Sequence, residues 1–136
     1  MAANPTFYDT PVKTSMDALT ALLNSGFLEI FTGSQPALDG SLTGTLLVTL
    51  TFGSTAFAAS VASAGTVTAT ANAITSGTAG ATGTAGYFAL LKTDGTTVVA
   101  TGTVGTSSAD LILNSTSIGS GATISCSGFT ISQLQT

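Results

Sequence analysis

Six carboxylates and one thiol are the side chains of this 136-residue chain that could carry chemistry. They are Asp9, Asp17, Glu29, Asp39, Asp94, Asp110 and Cys126. The absence of histidine excludes Ser-His-Asp and Cys-His nucleophiles and removes the commonest general base. No P-loop, G-x-S-x-G or C-x-x-C motif occurs. The sequence therefore predicts a protein that is not an enzyme and that has no catalytic residue, cofactor or metal.

The acidic residues and the cysteine have structural interpretations. Asp39 and Asp94 each precede a glycine, and aspartate favours turns because its carboxylate accepts hydrogen bonds from nearby backbone N–H groups. A calcium site at either position would need the D-x-D-x-D-G spacing, which is missing. Asp110 is expected to be solvated at the start of a strand. Cys126 lies in the alternating run of residues 124–131, so we expect a small strand residue there.

The charge pattern limits the possible partners. Only Lys13 and Lys92 oppose the six acids, which leaves a net charge of −4 and no basic surface for nucleic acid or an anionic membrane. No run of about 18 apolar residues predicts a membrane-spanning helix, and residues 1–13 lack the features of a signal peptide. Residues 40–91 carry no charge at all. Because free monomers usually keep a charged surface, we expect self-association as a homo-oligomer or extensive cover by partners.

The N-terminal residues predict an arm followed by a helix. Pro5 and Pro11 interrupt regular structure, so residues 1–13 are expected to form an extended arm. Its apolar residues, Phe7, Tyr8 and Val12, either fold back onto the domain or contact a neighbour, and they are the candidate interface. A capping box at residues 14–17 and an apolar stripe predict a helix over residues 15–25, ended by Gly26. The stripe comprises Met16, Leu19, Leu22 and Leu23.

The remaining chain predicts a single β domain over residues 14–136 that includes this helix. Ala, Gly, Ser and Thr make up 79 of the 136 residues, and threonine, the most frequent, suits a half-buried strand. Alternating or apolar runs predict strands at residues 27–31, 46–52, 66–71, 87–93, 96–101, 110–114 and 123–131. Asp94 and Gly95 predict a hairpin with a type I′ turn. About eight short strands with close turns indicate an all-β sandwich or barrel.

The stretch SGTAGATGTAG, residues 76–86, has glycine at every third position. A collagen helix would need a long array rich in proline, and a hinge would need two self-sufficient cores, which the flanking strands do not supply. Glycine within a strand instead marks a bend or the close approach of another backbone. We therefore expect a loop that runs into a glycine-bent strand, which continues through Tyr87 and Phe88.

An ordered series of segments resembles a family of small virion structural proteins of tailed bacteriophages. The series covers residues 14–131 and comprises residues 29–37 (EIFTGSQPA), 44–50 (GTLLVTL), 71–75 (ANAIT), 94–99 (DGTTVV), 102–107 (GTVGTS), 109–116 (ADLILNST) and 129–131 (FTI). Residues 1–13 have no counterpart in the resemblance, which leaves contacts made by the arm without support from the family. Tyr87 and Phe88 stand where a Trp-Phe pair is expected.

The resemblance implies a non-enzymatic, β-rich component of a phage particle. Capsid cement proteins of this size are often jelly-roll-like and multimeric, which implies a jelly-roll-like sandwich with the N-terminal arm and the short helix. The leading hypothesis is a capsid decoration protein that binds the major capsid protein on the outside of the head, after synthesis in the host cytoplasm. A tail- or fibre-associated subunit that binds tail proteins is the alternative. A carbohydrate-binding adhesin is a further alternative, although the chain has no tryptophan.

Overall fold

The structure is a computed structural model that describes residues 5–126 and 128–135. Its helix, α1, spans Asp9–Ala21, so it starts and ends earlier than the predicted helix at residues 15–25. The predicted arm is corrected accordingly: residues 9–13 are helical, and residues 5–8 have no regular structure. Residues 1–4 of the arm lie outside the described residues.

The early start of α1 has a local cause. Pro11 lies in the first turn, where its missing N–H costs no intrahelical hydrogen bond, and Asp9 places a negative charge near the positive end of the helix dipole. The predicted capping box at residues 14–17 is wrong. The Thr14 hydroxyl donates to the Thr10 carbonyl, and Asp17 accepts a hydrogen bond from the Ser60 N–H at 2.9 Å, across to a later segment of the chain.

The buried face of α1 differs from the predicted stripe. Val12, Met16 and Leu23 are buried, whereas Leu19 and Leu22 are 36% and 45% exposed. Ser25, with φ of 56°, takes the left-handed conformation that was expected of Gly26. A Cβ at Gly26 would collide with the Leu91 carbonyl oxygen, so this glycine serves a close backbone approach instead.

The strands of the described residues are short and follow α1 in close succession. They are β1 (Phe27–Thr32), β2 (Leu46–Phe52), β3 (Val61–Ser63), β4 (Thr66–Thr70), β5 (Ile74–Thr75), β6 (Gly77–Thr78), β7 (Gly83–Leu91), β8 (Val98–Gly105), β9 (Leu111–Ile112), β10 (Ser117–Ile118), β11 (Thr123–Ile124) and β12 (Thr130–Leu134). The predicted strand at residues 123–131 is divided into β11 and the start of β12, and Ser127 between them lies outside the described residues.

The strands form one large sheet and two small ones. The large sheet has the order β5-β2-β1-β7-β8-β9, with β10 also paired to β7, and it curls into a half-barrel. Its pairs are antiparallel except for β8 with β9. The small sheets have the orders β12-β4-β3 and β11-β6. The predicted all-β class is confirmed as a mostly β fold with one helix.

A chain of aromatic rings connects the large sheet to the three-stranded sheet. Phe52 of β2 packs on Phe57 with ring centroids 5.7 Å apart, and Phe57 meets Phe129 at 6.1 Å. Phe129, which directly precedes β12, meets Phe88 of β7 edge-to-face at 5.4 Å. These rings belong to the same core as Met16 of α1. Such contacts add about 0.5–1.5 kcal/mol each beyond the burial of their apolar area, so they fix the two sheets together.

The type I′ turn occurs at another hairpin than predicted. Asp94 does not have a positive φ; Gly95 does, and its N–H donates to the Lys92 carbonyl. The loop is therefore longer than two residues. Ala64 and Gly65, between β3 and β4, have φ of 51° and 82°, the pattern of a type I′ turn.

Two glycines of the repeat lie where a neighbouring backbone comes too close for a side chain. A Cβ at Gly77 would collide with the Thr49 carbonyl oxygen, and one at Gly86 would collide with the Gly33 carbonyl oxygen. A Cβ at Gly83 would lie 2.8 Å from the Thr32 side chain. Gly80 faces open space. The predicted strand that continues through Tyr87 and Phe88 is confirmed as β7, whereas the predicted loop before it contains the short strand β6.

Candidate interaction surface

The carboxylates in loops and turns hold the backbone in place. Asp94 accepts hydrogen bonds from the N–H groups of Thr96 and Thr97 and from the Thr97 hydroxyl, which lowers its pKa from 3.8 to about 2. Asp110 accepts the Thr103 N–H at 2.9 Å, and Asp39 has φ of 60° in a turn closed by Gly40. The turn interpretation of Asp39 and Asp94 is confirmed.

Three further titratable groups have shifted pKa values. Hydrogen bonds from Ser60 lower the pKa of Asp17. Burial raises the pKa of Glu29, whose carboxylate accepts from the Thr49 hydroxyl. Cys126 is half-buried between β11 and β12, and burial raises the pKa of its thiol, which opposes thiolate formation. Within residues 5–126 and 128–135, no three acidic or cysteine side chains cluster as metal ligands.

The structure separates the three residues of the candidate interface. Phe7 is 53% exposed and Tyr8 is 82% exposed, so both present aromatic surface to solvent. Val12 is only 5% exposed and packs in the core of its own domain, so it is removed from the candidate surface. The helical spacing of Val12 with Met16 explains this, because both lie on the buried side of α1.

The arm is anchored next to the C-terminal strand. The Phe7 N–H donates to the Gln135 carbonyl at 2.9 Å, and the Gln135 side-chain amide donates to the Phe7 carbonyl and to the Asp9 carboxylate. These contacts hold Phe7 and Tyr8 beside Leu134, which is 66% exposed. Phe7, Tyr8 and Leu134 thus lie near one end of β12.

The outward side of the three-stranded sheet continues this apolar patch. Pairing in register places small hydroxyl side chains and two apolar ones on one side of the sheet. This set, the threonine face, comprises Val61, Ser63, Thr66, Thr68, Thr70, Thr130, Ser132 and Leu134. The Thr68 and Ser132 hydroxyls lie 3.1 Å apart, so the face is also tied together from strand to strand.

The threonine face is exposed and carries no charge. No charged residue occurs in β3, β4 or β12. The side chains exposed on the edge strands are Val61, Ser63, Thr130, Ser132 and Leu134. Among the described residues, the three-stranded sheet has no further strand beside β3 or β12. The pattern of residues 66–71 predicts a strand, but the exposed threonine side of that strand was not predicted. The alternation of threonine with buried Val67 and Ala69 was the available signal.

The opposite arrangement occurs on the outward side of the large sheet. There Phe31 stacks on Tyr87 with centroids 5.2 Å apart, and Leu42 of the loop after β1 packs against them. The Tyr87 hydroxyl accepts the Thr43 N–H at 2.9 Å and donates to the Thr43 carbonyl. Tyr87 is therefore fully buried, and the loop of residues 33–45 covers part of this side of the sheet.

The described residues contain no helix that is long and apolar enough to cross a membrane. No protein-family model, curated protein or solved structure matches the chain.

Proposed function

We propose that this chain is a non-enzymatic structural protein of a tailed-bacteriophage virion, a capsid decoration protein that binds the outside of the head and stabilises it. Its partners are the major capsid protein and further copies of itself. The proposed location is the outer surface of the head, after synthesis in the host cytoplasm. We include the jelly-roll-like sandwich in this proposal, as the finer description of the mostly β fold.

The observation that carries the proposal is the uncharged threonine face with Phe7 and Tyr8 at its end. Threonine and serine lose little side-chain entropy on burial, and a flat sheet surface allows a second surface to approach closely. Exposed aromatic residues are the typical anchors of protein interfaces. Many copies on one particle would turn a weak contact at this surface into stable attachment through avidity.

The burial of Tyr87 argues against a carbohydrate-binding adhesin. Sugar-binding platforms need exposed aromatic rings, and the chain has only two tyrosines and no tryptophan. Tyr87 is fully buried beneath the loop of residues 33–45, which leaves Tyr8 as the exposed tyrosine. One exposed tyrosine beside Phe7 suits an anchor in a protein interface better than a sugar platform.

The test is to measure where the protein binds on the particle. Purified heads and purified tails are each incubated with the chain and sedimented, and the copies in intact virions are counted by quantitative mass spectrometry. The proposal predicts binding to heads and a copy number comparable to that of the major capsid protein, or a simple fraction of it. Binding to tails alone, with a far lower copy number, would replace the decoration role by a tail or fibre role.

Variants of the candidate surface extend the same test. Tyr8→Ser removes the most exposed aromatic anchor, and we expect it to lower the amount of protein that sediments with heads. Tyr87→Ser is unsuitable as its control because Tyr87 is part of the core. Leu38→Ser is a better control, since Leu38 is 95% exposed in the loop that covers the large sheet. Equal binding of both variants would remove the arm from the proposed interface.

A further inference from the structure

An apolar cleft separates the edge of the large sheet from the edge of the three-stranded sheet. Its volume is about 270 Å³. One wall is formed by residues 99–102 of β8 and the other by residues 130–132 of β12. Leu23, Phe88 and Phe129 also line it, and Asp110 is its charged residue. The two walls are not hydrogen-bonded to each other as strands, so this seam cleft marks where the half-barrel is open.

The β8 wall presents unpaired backbone groups to the seam cleft. The Thr103 N–H donates to Asp110, so it points away from the neighbouring strand β7. Backbone groups in an antiparallel strand alternate in direction from residue to residue. The N–H and C=O of Thr101 therefore also point away from β7, and β9 pairs only with Val104 and Gly105.

The β12 wall presents a similar edge. The Ala71 N–H donates to the Phe129 carbonyl, and the Gln135 N–H donates to the Gly65 carbonyl. The odd-numbered residues of β12 are therefore the ones whose backbone groups form hydrogen-bonded pairs with β4. By the same alternation, the backbone groups of Thr130 and Ser132 point away from β4. Two strand edges with free hydrogen-bonding groups therefore flank one apolar cleft, the arrangement that accepts an added strand.

The size and the charge of the seam cleft select the occupant. About 270 Å³ lies just below the range of about 300–1,000 Å³ typical of small-molecule sites, and it suits one or two apolar side chains of an extended segment. The Asp110 carboxylate favours a cationic residue in that segment. A second copy of this chain supplies only Lys13, within α1, and Lys92, beside the end of β7. The charge therefore favours a segment of a different protein.

We propose that the seam cleft binds an extended segment of another protein, which adds a strand along β8. In this arrangement the segment inserts an apolar side chain beside Phe88 and places a lysine or arginine against Asp110. The proposal goes beyond the function proposed above. It does not involve the arm, and of the threonine face it involves Thr130 and Ser132, which line the seam cleft. It holds whether or not the partner belongs to a phage particle.

A synthetic peptide of defined sequence tests the proposal. The probe is acetyl-Thr-Val-Thr-Val-Thr-Lys-amide, with glutamate in place of lysine in the control peptide, and amide hydrogen exchange is followed by NMR. When the lysine peptide is about tenfold above its Kd, exchange of the Thr101 amide should slow about tenfold. The glutamate peptide should bind more weakly. Absence of saturable protection at Thr101 would overturn the proposal. Protection only at β3, the far edge of the three-stranded sheet, would also overturn it.

Two variants separate the backbone contact from the charge. Asp110→Asn should reduce the affinity for the lysine peptide and remove the difference between the two peptides. Thr101→Pro should abolish binding, because it removes an outward N–H that is not part of the β7 ladder. Where Thr101→Pro does not fold, Asp110→Asn alone decides. An Asp110→Asn protein that still discriminates the peptides as the native protein does would contradict the proposed site.

Discussion

The outward side of the large sheet is partly covered by a loop, whereas the outward side of the three-stranded sheet is exposed. On the large sheet, the loop of residues 33–45 is held down by the Tyr87 hydroxyl and by Leu42, and Gln35 adds a hydrogen bond to the Thr101 hydroxyl of β8 at 3.0 Å. On the three-stranded sheet, no described loop packs over the threonine face. Among the described residues, the chain therefore covers the outward side of the large sheet in part and leaves that of the three-stranded sheet open.

The connections between strands account for this difference. Residues 33–45 join β1 to β2, which leaves enough chain to fold back over the sheet. Ala64 and Gly65 alone join β3 to β4, and a two-residue turn has no chain left to cover anything. The face without a loop is also the uncharged one. The exposed surface therefore follows from loop length and composition together, and both are encoded in the sequence.

The largest expected effect comes from the backbone approach beneath the covering loop. Gly86→Ala would place a Cβ against the Gly33 carbonyl oxygen, so the loop or β7 must shift. We expect a loss of about 3 kcal/mol or more in the free energy of unfolding, measured by urea denaturation.

Gly80→Ala is the matched control from the same glycine repeat. Its Cβ would meet open space and its φ is not positive, so stability should stay unchanged or rise by up to about 1 kcal/mol. Equal effects of the two substitutions would contradict the close approach of β7 to the loop.

A smaller effect is expected when the loop is released without a steric clash. Tyr87→Phe keeps the ring stacked on Phe31 but removes the hydroxyl that bonds to the Thr43 N–H and carbonyl. The cost should be about 1–3 kcal/mol, together with faster amide exchange in residues 33–45. Tyr8→Phe should change neither quantity, since no hydrogen bond of the Tyr8 hydroxyl occurs among the described residues. Unchanged exchange in Tyr87→Phe would show that the hydroxyl does not hold the loop.

Two carboxylates should give pH effects of opposite sign. Hydrogen bonds lower the pKa of Asp94 to about 2, so its stabilisation is complete above the unfolded value near 3.8 and is lost as pH falls toward 2. Burial raises the pKa of Glu29 on the partly covered sheet, so the folded state binds its proton more tightly. The stability contributed by protonated Glu29 is present below the unfolded pKa and is lost as pH rises through the folded value.

Substitutions isolate these two groups. Asp94→Asn should destabilise the protein at neutral pH and reduce the loss of stability on acidification from pH 3.8 to about 2. Glu29→Gln should be neutral or stabilising at neutral pH, because it removes a partly buried charge. Thermal unfolding measures both, between pH 2 and 3.8 for Asp94 and from pH 4.5 up to neutral pH for Glu29. Parallel pH profiles for the two variants would contradict the opposite environments.

The sequence predicted features that depend on neighbouring residues or on strong alternation. The strands at residues 27–31 and 46–52 occur as β1 and β2, and Gly77 and Gly86 of the glycine repeat lie at close backbone approaches as expected. Apolar alternation is decisive there because each strand has a buried side. The predicted start of the helix is wrong because a proline in the first turn disrupts no intrahelical hydrogen bond, so Pro11 does not interrupt α1.

The candidate surface could be predicted only in part. The sequence left open whether Phe7 and Tyr8 fold back onto the domain or stay available to a neighbour. The prediction of Val12 as an interface residue is wrong because helix α1 places its side chain in the core. The threonine face required knowledge that β12 pairs with β4 across a long separation in sequence. No local pattern specifies such a pairing, and none indicates which sheet the loop of residues 33–45 covers. Both depend on tertiary packing.

The smallest effects on stability are expected for two lysine substitutions that test whether the threonine face mediates self-association. Thr70 on the threonine face and Thr51 in the large sheet are both exposed strand residues, so Thr70→Lys and Thr51→Lys form a matched pair that should each change stability by no more than about 0.5 kcal/mol. Sedimentation velocity is measured on both variants and on the native chain over a wide concentration range. We expect the native chain and Thr51→Lys to self-associate, and Thr70→Lys to remain monomeric. A native chain that stays monomeric at high concentration, or a Thr70→Lys variant that associates equally well, would contradict this expectation.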